Sequence, residues 1–341
     1  MKNKTAITCV FSNPQYAKTT PRGLELIYLK QLLEEKNREV LIFGNKCRTN
    51  KDLNFFKDIT EIKNHNINSI ILQLAPANFF GGQYSDYSVE CVKALADLWK
   101  SNKVKFNILP TDPRIKPLNP ARIFYERFNI CEEYIKTWDE IILNSIYLFP
   151  GKDLNKFFNM DNKFNTYKLN WFAYIFKKGV STYDYSTDKD YDVIYYGDKR
   201  GSYRNNKIKK FMPFSTKNLL LGYKEPKITW ADYKTKVKHS ELFSVLNKCK
   251  VSLVIGDKEH EDNVATFRFF EALASSAIAA IDIDYDPNKQ LIKNDTLRNI
   301  LYVSSKNQVA NLAKLYTENQ SLADEIIDLQ KLELKRIFNE I

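Results

Sequence analysis

The chain has 341 residues and carries 52 Lys and Arg against 41 Asp and Glu, a formal net charge of +11. Its 44% apolar and 13% aromatic residues exclude the disordered and fibrous classes, and the length favours two domains of ordinary size over one. No run approaches the roughly 18 apolar residues that a membrane span needs, and the stretch Ala6 to Phe11 is too short for a signal-peptide core. A cytoplasmic protein with no membrane association is expected.

The cysteines, Cys9, Cys47, Cys91, Cys131 and Cys249, are odd in number and never paired as Cys-x-x-Cys. They read as buried free thiols, not as a disulfide framework or zinc site. His65, His239 and His260 lack metal-ligand spacing, so no protein metal site is expected. The positive excess attracts polyanions, but alone it does not separate nucleic acid from nucleotide or membrane surface.

In chain order, Thr5 to Phe11 reads as a buried strand, Arg22 to Glu35 as an amphipathic helix and Glu39 to Phe43 as a second strand. The pattern returns with strand Ser69 to Leu74, a loop over Ala75 to Tyr87, helix Ser88 to Lys100 and strand Lys105 to Leu109. Pro110, Pro113, Pro117 and Pro120 then break the periodicity. The polar segment Lys178 to Asp190 reads as an interdomain connection, with a boundary near residue 188.

A second alternating series follows. Its strands are Asp192 to Tyr196, Asn218 to Leu221, Val251 to Ile255 and Ala277 to Ile283; its helices are Arg204 to Met212, Ser240 to Asn247 and Val264 to Ser275. Gln308 to Ile341 is strongly helical, with its last turns, from about residue 325, expected to return to the first domain. Strands alternating with helices predict an α/β protein with two doubly wound, Rossmann-like halves, 1–188 and 189–324. Ligands of such sheets bind at the carboxyl ends of the strands.

Neither a Gly-x-Gly-x-x-Gly fingerprint nor a Gly-x-x-x-x-Gly-Lys-Ser/Thr loop is present, which argues against a nicotinamide-dependent dehydrogenase and a P-loop nucleotidase. After the strand ending at Tyr196, however, come Gly197, Asp198, Lys199, Arg200, Gly201 and Arg204. Glycine permits close approach, a helix N-terminus offers free N–H groups and guanidinium forks bind phosphate oxygens. The competing reading is a solvated cationic helix face, since Lys199 to Lys210 contains six basic residues.

Gly256 to His260, including Asp257, closes an apolar strand and precedes a helix with Arg268 and Glu271 three apart on one face. That pair suits a nucleotide, with Arg on the diphosphate and Glu accepting from ribose hydroxyls; a plain intrahelical ion pair is the alternative. In the first half, Asn78, Phe79, Phe80, Gly81 and Gly82 place two aromatics before a glycine pair. Exposed, they suit insertion into a base stack; buried, they anchor a turn. Thr111-Asp112-Pro113-Arg114 puts a carboxylate at a strand end, as a general base or as a turn-capping aspartate. Asp282-Ile-Asp284 spells a metal-associated string but reads as a chance match.

Together these segments resemble the bacteriophage DNA β-glucosyltransferase family of GT-B fold. Four blocks carry the resemblance: Asn78 to Gly82, Thr111 to Arg114, Asp192 to Lys207 and Ile255 to Ser275, with a weaker match at Glu25 to Tyr28. The resemblance implies inverting transfer of glucose from UDP-glucose to 5-hydroxymethylcytosine in duplex DNA, with Mg2+ or Mn2+ as candidate assisting ions. It makes Asp112 the catalytic base and places Arg200, Arg204 and Arg268 on the UDP diphosphate, with Glu271 on the ribose. Glu25, Asp257 and His260 fall near the donor sugar, Gly197 by the phosphates and Val237 by the uracil.

Asn78 to Gly82, with Arg114, would meet DNA, and Phe80 would enter the duplex beside an extruded base. His260 stands where the family has a tyrosine, and Gln83 where it has a lysine. The resemblance also implies a phage enzyme that shields viral DNA from host restriction, and a monomer is expected. The alternatives are a GT-B enzyme using another UDP-sugar, or another acceptor such as 5-hydroxymethyluracil DNA or a non-DNA molecule, and a basic DNA-binding protein with a relic nucleotide site.

Overall fold

In a computed structural model of the chain, the structure describes residues 3–8, 29–44, 57–74, 86–101, 104–110, 119–149, 164–168, 188–197, 201–222, 229–235, 237, 239–256 and 265–339. The chain divides into two compact units, Met1–Leu169 and Asn170–Ile341.

The first unit is built on strands β1 (Lys4–Thr8), β2 (Glu39–Gly44), β3 (Lys57–Asp58), β4 (Ser69–Leu74), β5 (Lys105–Pro110), β6 (Ile146–Phe149) and β7 (Asn165–Lys168). They pair in parallel in the order β3-β2-β1-β4-β5-β6-β7. The described helices are α1 over residues 29–35, α2 (Asp86–Lys100), α3 (Pro120–Phe128) and α4 (Glu132–Asn144). Their apolar faces cover a core of Ile7, Ile70, Leu95, Ile108, Trp138 and Tyr147. Trp138 donates from Nε1 to the Val92 carbonyl at 3.1 Å, and the Tyr147 hydroxyl donates to the Ile142 carbonyl at 2.8 Å. Both buried polar groups are thereby satisfied.

After β5 the prolines break the periodicity of the sequence, and the last of them, Pro120, occupies the first turn of α3. There its fixed φ and missing N–H cost nothing. Asn119 caps that helix, accepting from Ala121 N and Arg122 N, while its amide donates to the Ile135 carbonyl and to Asp139.

The second unit carries β8 (Tyr191–Tyr196), β9 (Asn218–Leu221), β10 (Ala231–Lys234), β11 (Cys249–Val254), β12 (Ile278–Asp282) and β13 (Tyr302–Val303). All pairs are parallel, in the order β10-β9-β8-β11-β12-β13. Helices α5 (Gly201–Phe211), α6 (His239–Leu246), α7 (Phe267–Ala274), α8 (Asp295–Leu301), α9 (Lys306–Glu318) and α10 (Gln320–Asn339) accompany them. Strands covered on both faces read as continuous apolar runs, as β9 and β12 do. Strand order reverses between β8 and β11, which makes the carboxyl ends of these two strands the switch point of the sheet.

Two side chains complete the second sheet where backbone runs short. β13 pairs only with Ile281 and Asp282. The fully buried Gln330 of α10 accepts from Ala279 N at 2.8 Å and donates to the Ala277 carbonyl at 3.1 Å, in place of a longer edge strand. At the amino ends of the strands, Lys189 donates to the carbonyls of Asn247 and Ser276 and lies over the Tyr316 ring; burial pulls its pKa down to about 8. Cys91 and Cys249 are buried free thiols, as expected, whereas Cys131 is exposed because it immediately precedes α4 at the surface. Cys9 and Cys47 lie outside the described residues. No described helix is long and apolar enough to cross a membrane.

Candidate functional site at the switch point of the second sheet

β8 ends in Tyr195 and Tyr196, and the chain turns at Gly197 with φ of +127°, a conformation that side-chain-bearing residues rarely adopt. Gly197 N donates to the Leu221 carbonyl at the end of β9, and Gly222, with φ of +100°, packs beside the Gly197 backbone. Two glycines at adjacent strand ends leave a backbone-lined shelf, and the Arg268 guanidinium lies over Gly197. α5 starts four residues after Gly197 and points its N-terminus, with its unsatisfied N–H groups, toward the carboxyl edge of the sheet.

Arg268, in the first turn of α7, reaches across this edge. Its Nε donates to the Tyr196 carbonyl at 2.8 Å and its Nη1 to the Ile255 carbonyl at 2.6 Å. It therefore bridges the ends of β8 and β11 at the switch point. Its guanidinium carbon lies 5.1 Å from the Tyr195 ring centroid and 5.6 Å from that of Tyr196. These contacts fix the plane of the fork.

One turn further along α7, Glu271 is buried. Burial pushes its carboxyl up to about 7, against the opposing pull of a Tyr196 hydrogen bond and the Arg268 charge. Burial and the Glu271 charge in turn raise the Tyr196 phenol well above its ordinary value. Its hydroxyl also donates to the Arg268 carbonyl at 3.3 Å. The start of α7 is held by Tyr285, whose hydroxyl accepts from Thr266 N at 2.7 Å and lies 3.1 Å from Thr266 Oγ1.

Of the residues singled out from sequence, Gly197, Arg268 and Glu271 come together here, linked through Tyr196. Arg204 is buried on α5. Val237 is half-buried, packed on an apolar cluster that includes Ile194, Tyr196 and Leu221. Glu25, Asn78, Phe79, Phe80, Gly81, Gly82, Asp112, Arg114, Arg200, Asp257 and His260 lie outside the described residues. Sequence reasoning missed Tyr196 and Tyr285, because tyrosines in and beside strands read as ordinary core.

Asp282 and Asp284 are engaged by Lys207, and among the described residues no group of three His, Cys, Asp or Glu side chains converges on a metal position. These described residues therefore do not fit a protein-held divalent ion.

Two doubly wound parallel sheets, with a glycine-lined, arginine-bridged shelf at the switch point of the second, define an α/β protein of the GT-B glycosyltransferase fold. The chain is similar to the DNA beta-glucosyltransferase of Enterobacteria phage T4, at 25% identity over 347 residues covering 96% of this chain and 93% of that protein. The structure of the T4 phage enzyme in complex with UDP and Mn2+ superposes with a TM-score of 0.74 at 24% identity, covering 98% of this chain and 95% of the other. Sucrose-phosphate synthase from Thermosynechococcus elongatus shares the fold at a TM-score of 0.57 and 9% identity, covering 99% and 95% of the two chains. No protein-family model matches the chain.

Proposed function

We propose that the protein is a DNA glycosyltransferase that moves glucose from UDP-glucose to the hydroxymethyl group of 5-hydroxymethylcytosine in duplex DNA, with inversion at the anomeric carbon. The observation that carries the donor half of this reading is Arg268, held by the carbonyls of Tyr196 and Ile255 beside Gly197. It is a preorganised cation where a diphosphate can approach backbone closely. The acceptor half rests on similarity to the T4 phage enzyme, whose name states its action on DNA.

In this reading Asp112 removes the proton from the hydroxymethyl oxygen as that oxygen attacks the sugar from the face opposite UDP. A single base suffices for inversion. Arg200, Arg204 and Arg268 stabilise the charge that develops on the departing diphosphate, and Glu271 accepts from the ribose hydroxyls. Gly197 lets the phosphates approach, Val237 lies by the uracil, and Glu25, Asp257 and His260 surround the sugar. Mg2+ or Mn2+ would be carried by the diphosphate.

Asn78 to Gly82 and Arg114 contact the DNA, with Phe80 filling the stack vacated by the extruded base. The first unit takes the acceptor and the second takes the donor; the closing helix, expected from sequence to return to the first domain from about residue 325, packs on the second sheet through Gln330. The enzyme acts as a monomer in the host cytoplasm and protects phage DNA from restriction.

The deciding experiment incubates the protein with radiolabelled UDP-sugars and duplexes containing 5-hydroxymethylcytosine, 5-hydroxymethyluracil or cytosine, then counts label retained on DNA. Label from UDP-glucose on the 5-hydroxymethylcytosine duplex alone is expected. Absence of label on every duplex while UDP still binds removes the DNA acceptor and leaves the donor site standing.

A further inference from the structure

Helix α5 buries Arg204, Lys207, Ile208 and Phe211. These positions, spaced i, i+3, i+4 and i+7, form one helical stripe, and half of that stripe is cationic. The helix sequence GSYRNNKIKKF contains no acidic residue, so its buried charge depends on anions from elsewhere in the chain. For Lys207 they come from the end of β12. Its Nζ donates to Asp282 Oδ2 at 2.8 Å and also bonds Asp284, while Lys210 approaches Asp284 at 3.7 Å.

Asp282 is itself immobilised, because its Oδ1 accepts from Asp284 N at 3.1 Å. The Lys207 ammonium also lies 5.5 Å from the Tyr203 ring centroid and 5.9 Å from that of Phe211. Lys207 has 10% and Asp282 3% of its side chain exposed, so solvent screens their attraction little. The two apolar members of the stripe, Ile208 and Phe211, lie in the C-terminal half of the eleven-residue helix, whereas Arg204 lies in its N-terminal half.

We propose that Lys207, together with Asp282 and Asp284, positions the donor site: the ion cluster sets the rotation of α5 about its axis and so aims Arg204, one turn nearer the helix N-terminus, at the diphosphate. The Asp-x-Asp string is on this view a clamp for a helix, not a metal ligand. The inference rests on the donor-site reading above, since it needs Arg204 to meet the diphosphate.

The test is calorimetric titration of UDP into the wild type, Lys207→Met, Lys207→Arg and the same lysine variants in an Arg204→Ala background. Lys207→Met, folded by circular dichroism, is expected to bind UDP about tenfold more weakly, and Lys207→Arg to recover most of that loss. In the Arg204→Ala background Lys207→Met should add no further loss, because a clamp that acts through Arg204 has nothing left to aim.

Wild-type UDP affinity in Lys207→Met, or an equal loss with and without Arg204, overturns the proposal. Failure of the wild type to bind UDP instead overturns the donor-site reading. Should Lys207→Met not fold, Asp284→Asn, at a half-exposed member of the cluster, replaces it; a loss of about threefold that vanishes without Arg204 is then expected, and an unchanged affinity overturns the proposal.

Discussion

Gly197 and Arg268 compete for the same space: a β-carbon placed on Gly197 would lie 2.0 Å from Nη2 of Arg268. The absence of a side chain at the end of β8 is what allows the guanidinium to lie across the strand ends. Gly197→Ala therefore incurs two penalties, displacement of the fork and a side chain at φ of +127°. The backbone component costs about 1–3 kcal/mol in stability. Denaturant unfolding should register that loss, and calorimetry should show UDP affinity reduced by about tenfold or more.

Arg268→Ala removes the donors that meet the Tyr196 and Ile255 carbonyls and, in the proposed function, the cation that meets the diphosphate. Hydrogen bonds to charged groups are worth about 1.5–3 kcal/mol each. UDP should bind about 10–100-fold more weakly, with turnover falling as well. Arg268→Lys should not rescue, since a single ammonium cannot hold both carbonyls in the fork geometry. Unchanged UDP affinity in Arg268→Ala would take the residue out of the phosphate site.

With Glu271 on the ribose, as proposed, its carboxyl, pushed by burial to about 7, should make donor binding depend on pH near neutrality. Only the carboxylate accepts from both ribose hydroxyls, so UDP affinity should fall as pH drops below about 7, approaching tenfold per pH unit, and Glu271→Gln should flatten the profile. The stability effect has the opposite sense. Between the ordinary carboxyl value of 4.5 and about 7 the unfolded chain has released this proton while the folded chain keeps it, so this group's contribution to stability falls as pH rises through that window. Unfolding free energies of the wild type and Glu271→Gln, compared across pH 4 to 8, should diverge in that direction.

Asp112→Ala should lower transfer by at least about a hundredfold, the scale of a lost general base, and leave UDP affinity within about twofold. Single-turnover assays beside UDP titration separate the two effects. Loss of UDP binding in this variant would contradict the assignment of Asp112 as base.

Phe80→Ala should weaken use of duplex DNA by the equivalent of about 1–3 kcal/mol, the worth of one stacking contact, with DNA-free hydrolysis of UDP-glucose little altered. Equal loss in both assays would assign Phe80 to packing.

Alternation of apolar strands and amphipathic helices was sufficient to read the α/β class and its two halves, because parallel sheets covered on both faces leave unmistakable runs such as those of β8, β11 and β12. The strands β6, β7, β10 and β13 carry no comparable signal. They are two to four residues long, and edge positions are exposed, as in β10. Gly197, Arg268 and Glu271 stood out in the sequence as parts of two separate segments, each equally compatible with a solvated helix face or an intrahelical ion pair, and only the family resemblance joined them at one site.

What only tertiary structure decided is the direction of each side chain. Arg268 and Glu271 are three residues apart, and spacing alone equally suits a surface ion pair. Arg268 turns instead to acceptors 72 and 13 residues away, because sheet order sets β8 and β11 side by side with their carbonyl ends beneath α7. Lys207 and Asp282 meet across 75 residues for the same reason. Local periodicity encodes which face of an element is buried; which distant partner that face meets follows from strand order, which no local pattern contains.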